Sequence, residues 1–121
     1  MKKEKFEIIA QYEKSGEIMY HATLSGDYRA NNKEGSKLVR IFKMFEKDES
    51  FAMECIRELL KSQNVVVRSK AAAYCLALNK DTDIAETVLQ GIIDDPENGI
   101  FGFNAKMTLK VWHEQGFLRI Y

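Results

Sequence analysis

The sequence predicts an all-α fold, a stack of antiparallel helix pairs with about five to six helices in one domain over residues 1–121. Three observations carry this expectation. A six-position apolar pattern occurs twice, no segment alternates with period two for long enough to demand a strand, and 121 residues contain a single proline. The pattern first places Phe51, Ala52, Cys55, Ile56, Leu59 and Leu60 at steps of 1, 3, 1, 3 and 1, which is one wide helical face. Ile84, Ala85, Val88, Leu89, Ile92 and Ile93 repeat the same steps 33 residues later. The segments that follow correspond at an offset of 34: Val66 with Ile100, Val67 with Phe101, Ala71 with Ala105, Cys75 with Leu109 and Leu78 with Trp112. Two helix pairs are therefore expected, at about 50–79 and 83–115.

Each element has its own signals. Phe6, Ile9, Glu13, Gly16, Tyr20 and Leu24 form the seam of a first helix, with a bend or break expected near Ser15 and Gly16. Tyr28, Asn31, Gly35, Leu38, Phe42 and Phe45 form the seam of a long second helix that is polar at its start. Ser50 is expected to cap the helix from Phe51, and Asn64 the one running to Leu78. Asp83 with Glu86 resembles a capping box for the helix through Ile93. Asp95 before Pro96 reads as a cap followed by proline at the first helical position, in a turn that Gly99 and Gly102 make irregular. Gly116 ends the last helix, and Phe117, Leu118, Ile120 and Tyr121 are too apolar for a loose tail, so they should fold back onto the core. Links of about 2–6 residues join the helices.

Composition narrows the function. Hydrophobic residues make up 45% and charged residues 30%, which argues against disorder. Eighteen basic residues balance eighteen acidic ones, so no global field draws the chain to nucleic acid or to an anionic membrane, and neither is an expected partner. The segment Met1–Glu7 is charged, and no run approaches the ~18 apolar residues of a membrane span, so a cytoplasmic location is expected. Cys55 and Cys75 lie within apolar patterns, without a Cys-x-x-Cys or paired His spacing, and read as reduced core thiols.

No nucleophile with an adjacent base, no paired carboxylates and no metal-ligand spacing stand out, and there is no glycine-rich phosphate loop. His113 beside Glu114 reads as a solvated pair or as a cation near a helix C-terminus, and His21 is remote from it in sequence. No catalytic residue, metal or cofactor is expected.

Charge is segregated despite the zero sum. Residues 61–80 carry Lys61, Arg68, Lys70 and Lys80 with no acid, whereas residues 81–97 carry Asp81, Asp83, Glu86, Asp94, Asp95 and Glu97 with no base. Asp81, Asp83 and Asp95 suit helix N-termini, but Asp94 falls near a helix C-terminus, where an anion is disfavoured. Asp94, Asp95 and Glu97 are thus either a solvated corner or a surface that complements a basic partner. Tyr20 and Tyr28 flank the first turn, as packing residues or as exposed anchors. Arg68 reads as pairing with an acid of the neighbouring repeat or as a surface contact. Gly102 and Ala105 allow two helix axes to approach, while Phe103 and Trp112 fill larger gaps.

The stretch Asn64–Leu76, with Asn64, the Val67-Arg68 pair and the alanines Ala71 and Ala72, resembles the second helix of a HEAT repeat. Gly99–Trp112 resembles the terminal motif of a small bacterial family of HEAT-like repeat proteins classed as a domain of unknown function. Gly26, Asp27 and Tyr28 with Asn32 and Lys33 look like that family's second-helix start. The resemblance covers roughly residues 5–114, and it departs from the HEAT pattern at Gly102, where an arginine would stand. Members are similar to proteins proposed as immunity partners of secreted bacterial toxins. The resemblance therefore implies a cytoplasmic, non-catalytic protein that binds and neutralises a cognate toxin domain. Two other classes stay open: a nucleic-acid-binding or base-repair enzyme on a HEAT-like scaffold, which needs a basic concave groove, and a scaffold or adaptor that forms a homodimer through the apolar tail.

Overall fold

Side-chain caps set most of the helix boundaries. The computed structural model describes residues 4–121, in which six α-helices follow one another: α1 (Lys5–Ser25), α2 (Tyr28–Lys47), α3 (Glu49–Leu59), α4 (Val65–Leu78), α5 (Thr82–Asp94) and α6 (Ile100–Gln115). A single 3₁₀ turn, Pro96–Asn98, precedes α6, and there is no strand among the described residues. The fold is all-α, as the periodicity predicts. The Asn64 side chain accepts from the Val66 and Val67 N–H groups at 2.8 and 3.3 Å to start α4, and Asp95 accepts from the Glu97 N–H at 3.0 Å to start the 3₁₀ turn. Gly116 closes α6 at φ 80, a left-handed conformation that suits glycine.

Two expected caps move. Asp48 rather than Ser50 starts α3, because its carboxylate accepts from the Phe51 N–H at 3.2 Å. The same residue ends α2, so the link is one residue long and Ser50 falls inside the first turn. At α5 the boundary residue is Asp81 at φ 50, and Arg57 Nε lies 3.1 Å from its carboxylate. Asp83 consequently sits within the first turn and forms no capping box.

Helix α4 runs through the middle of the stack, packed against α1, α3, α5 and α6. Ile8, Tyr12, Leu38, Phe42, Phe45, Ile56, Leu59, Leu76, Leu89 and Ile92 belong to one core around it, and burying each large apolar side chain contributes roughly 1.5–3 kcal/mol. The twin patterns behave alike at most positions: Ala52, Cys55, Ile56 and Leu59 are buried, and so are Ala85, Leu89 and Ile92. Two positions differ: Ile84 is 51% exposed, and Val88 is only half-buried where Cys55 is fully buried. Helix α3 is flanked by α1, α2 and α4, whereas α5 has mainly α4 and α6 beside it.

Helix α1 is unbroken, contrary to the bend expected at Ser15 and Gly16. A Cβ on Gly16 would lie 2.4 Å from Val67 Cγ2, so the glycine lets α1 approach α4 rather than flex. The buried face of α1 is Ile8, Tyr12, Ser15, Gly16 and Ala22; of the expected seam only Gly16 is fully buried, Ile9 and Tyr20 pack partly on the core, and Phe6 is 75% exposed. Packing against α2 on one side and against α3 and α4 on another rotates the buried face away from a single-partner seam.

Polar groups inside this face are paired. The Tyr12 and Tyr74 hydroxyls are hydrogen-bonded at 2.7 Å. Ser15 donates to Glu34 Oε1 at 2.8 Å and Lys37 Nζ donates to Glu34 Oε2 at 3.0 Å. Burial pushes the Glu34 carboxyl up, but hydrogen bonds from Lys37 and Ser15, with the Lys37 and Lys33 charges, outweigh it and hold the group below its usual value. A carboxylate with a depressed folded pKa stabilises the fold above the unfolded value near ~4 and loses that contribution as pH falls through the folded one. Acid unfolding followed by circular dichroism should therefore be less pH-sensitive in Glu34→Gln than in the parent protein. Identical acid slopes would remove Glu34 as a contributor.

Cys55 and Cys75 are free and buried, and burial pushes both thiols up to about 11, which leaves them unreactive at neutral pH. The tail folds back in part: Leu118 and Ile120 pack on the core, whereas Phe117 stays exposed and Tyr121 lies at the surface, its hydroxyl donating to Glu46 of α2. No helix among the described residues is long and apolar enough to cross a membrane.

Candidate functional site

The corner between α5 and α6 concentrates exposed acid. Asp94, Asp95 and Glu97 are all exposed there; Asp94 Oδ1 accepts from Gln90 Nε2 at 2.8 Å, while Asp95 serves as a cap. Helix α6 begins directly beyond this corner. Its inner side buries Phe101, Gly102, Ala105 and Leu109, and a Cβ on Gly102 would lie 3.3 Å from the Ile92 carbonyl oxygen, which explains the close α5–α6 approach. Its outer side exposes Ile100 at 48%, Phe103 at 60% and Met107 at 38%. The 3 and 4 spacing of these three residues aligns them as one apolar ridge with the acids at its N-terminal end. Phe103 therefore does not fill an interhelical gap, as the sequence suggests, whereas Trp112 does pack against the core.

The two tyrosines part company. Tyr20 is half-buried and stacks on Phe101 at 4.9 Å, tying α1 to α6. Tyr28 is 65% exposed at the α1–α2 turn, with the Arg29 guanidinium 6.0 Å from its ring centre. Arg68 Nη1 donates to the carbonyls of Ser62 and Gln63 at 3.0 and 2.9 Å, so it braces the α3–α4 link rather than meeting an acid of the neighbouring repeat. His113 of α6 lies 3.7 Å from Glu86 of α5, and His21 lies 3.1 Å from Glu17. No group of three or more His, Cys, Asp or Glu side chains among the described residues is placed to hold a metal ion.

A groove opens over one side of α4. Val66, Ser69, Lys70 and Ala73 form its floor, with Met19, Thr23 and Asn31 on one wall and Phe101, Asn104 and Thr108 on the other, around a cavity of about 320 Å³. A second cavity of about 660 Å³ shares Met19, Asn31 and Lys70 and continues past Arg40, Lys43 and Ile120. No Asp or Glu lines either cavity. Lys70 has no hydrogen bond or carboxylate partner among the described residues, and burial holds its ammonium below the usual lysine value. Asn31 Nδ2 donates to Thr23 Oγ1 at 3.1 Å, but its Oδ1 is buried without a donor, alone in this among the described residues. At another face of α4, Glu13, Glu17, His21 and Arg68 surround an open cavity of about 620 Å³ with mixed charge.

The sequence singles out the acidic corner but neither the ridge nor the groove. A signal for the ridge exists, since Ile100, Phe103 and Met107 keep helical spacing beside the buried set. Comparison with protein-family models, curated proteins and solved structures finds no match for the chain.

Proposed function

We propose that the protein is a non-catalytic binding module of the cytoplasm, and most concretely an immunity protein that occludes a cognate toxin domain. The observation that carries the binding role is the exposed ridge of Ile100, Phe103 and Met107 with Asp94, Asp95 and Glu97 at its end. Exposed aromatic and aliphatic anchors supply affinity once desolvated, and a rim of acid speeds encounter with a basic surface. The toxin itself comes from the resemblance of Gly99–Trp112 to the terminal motif of proposed immunity proteins.

The product of the neighbouring gene should contain a toxin domain that copurifies with this protein, and co-expression of the two should restore growth. Reversing Asp94 and Glu97 to Lys should slow association, flatten its salt dependence and weaken the complex, with stability nearly unchanged because exposed charges contribute little to folding. Asp95 stays intact in this variant because its cap would confuse binding with folding. Failure of the parent chain to protect would overturn the immunity reading. Association of the double variant at the parent rate in low and high salt would move the interface away from the corner, towards exposed Tyr28.

A further inference from the structure

Translation along the stack shows where the α6 ridge points. An offset of 34 residues carries Val66, Ser69 and Ala73 of α4 onto Ile100, Phe103 and Met107 of α6. In α4 those three residues line the groove that α6 walls with Phe101, Asn104 and Thr108. The ridge is therefore the side of the last repeat on which a further helix would stack. The chain beyond α6 turns the other way, with Leu118 and Ile120 on the core and Tyr121 bonded to Glu46 of α2. At the internal joint two of the three positions are small, Ser69 and Ala73, whereas at the open end Phe103 and Met107 are large and apolar. Such an end is not built for water, since the terminal repeat of a solenoid carries a polar outer face.

The ridge is also self-complementary. Ile100 lies three residues before Phe103 and Met107 four after it, while Glu97 lies six before and Lys110 seven after. Seven residues are two turns less about 20°, so Lys110 stands on the Phe103 side of α6. When two such ridges run antiparallel about a twofold axis beside Phe103, each Ile100 meets the other copy's Met107 and each Glu97 faces a Lys110. Both Glu97 and Lys110 are exposed, and neither forms an ion pair among the described residues. Asp94 and Asp95 reinforce the acidic end; Lys106 reinforces the basic end and Glu114 offsets part of it, which leaves the two ends opposite in net sign. We propose that a second copy of this chain covers the ridge, α6 against α6, in a twofold-symmetric antiparallel dimer. Three anchors with a charged rim make a small interface, so the dimer dissociates at about 10 µM to 1 mM. It shares the ridge with the immunity reading without resting on the toxin, and a tighter basic partner displaces the second copy.

The test is sedimentation equilibrium of the whole protein from about 10 µM to 1 mM. The average mass should rise with concentration from 13.9 kDa towards twice that value and stop there. Phe103→Glu should abolish association, because two carboxylates would meet at the axis, and should melt like the parent because the side chain is 60% exposed. Glu97→Lys and Lys110→Glu should each weaken the dimer about tenfold at low salt, since both symmetric pairs become like-charge pairs. Combining the two substitutions in one chain reverses every pair without changing the net charge, and should restore the parent affinity. The proposal is overturned by a chain that stays monomeric up to about 1 mM, by growth beyond a dimer, by a Phe103→Glu variant that associates like the parent, or by a double variant no tighter than the single ones. A chain that stays monomeric yet copurifies with a toxin would overturn the dimer alone, whereas a dimer that protects against no toxin would overturn the immunity reading alone.

Discussion

Leu59→Ala and Ile92→Ala should each lower the unfolding free energy by about 2–5 kcal/mol, measured by urea denaturation. Leu59 is 1% exposed and Ile92 2%, and they occupy the same position in the two apolar patterns. Truncation removes buried methyl groups and leaves a cavity that helices packed on both sides can only partly close. Ile84→Ala is the internal control. It removes the same atoms as Ile92→Ala from the same helix and the same pattern, but the side chain is 51% exposed and its loss should stay within about 0.5 kcal/mol. Near-neutral effects at both core positions would turn the proposed faces to solvent, and a large effect at Ile84 would mean that α5 has a partner the stack does not contain.

Gly16→Ala should destabilise the fold by about 1–3 kcal/mol even though alanine is the better helix former by about 1 kcal/mol. The Cβ would lie 2.4 Å from Val67 Cγ2, and 3.4 Å from the Asn64 side chain that caps α4. Relief requires α1 and α4 to separate, which strains a cap as well as the core. Val67→Ala should cost stability by itself and yet recover part of the loss in the Gly16→Ala background, so the double variant is less destabilised than the sum of the single ones. Simple additivity would show that α1 and α4 do not meet at this point.

Much of the architecture was legible because helices obey local rules. The apolar steps from Phe51 and from Ile84 recur as buried faces, and Asn64, Asp95 and Gly116 act where their side chains or backbone freedom suit them. The misplaced elements share one cause. Ser50, Asp83 and the α1 seam follow from residues on one helix alone, but Asp48 serves two helices at once, Asp81 is engaged by Arg57 of α3, and α1 packs between several neighbours.

The same division runs through the candidate sites. Asp94, Asp95 and Glu97 are visible as a charge run because they are consecutive or nearly so. Whether Ile100, Phe103 and Met107 are core or surface depends on which side of α6 meets α4 and α5, and periodicity reports that a helix has apolar positions without saying which of them find a neighbour. Lys70 and Asn31 carry no shared sequence signal at all. Local spacing and caps determine the helices, whereas the groove and its two unpartnered groups exist only after α1, α2, α4 and α6 assemble, because burial and hydrogen-bond satisfaction are set by contacts between residues distant in sequence.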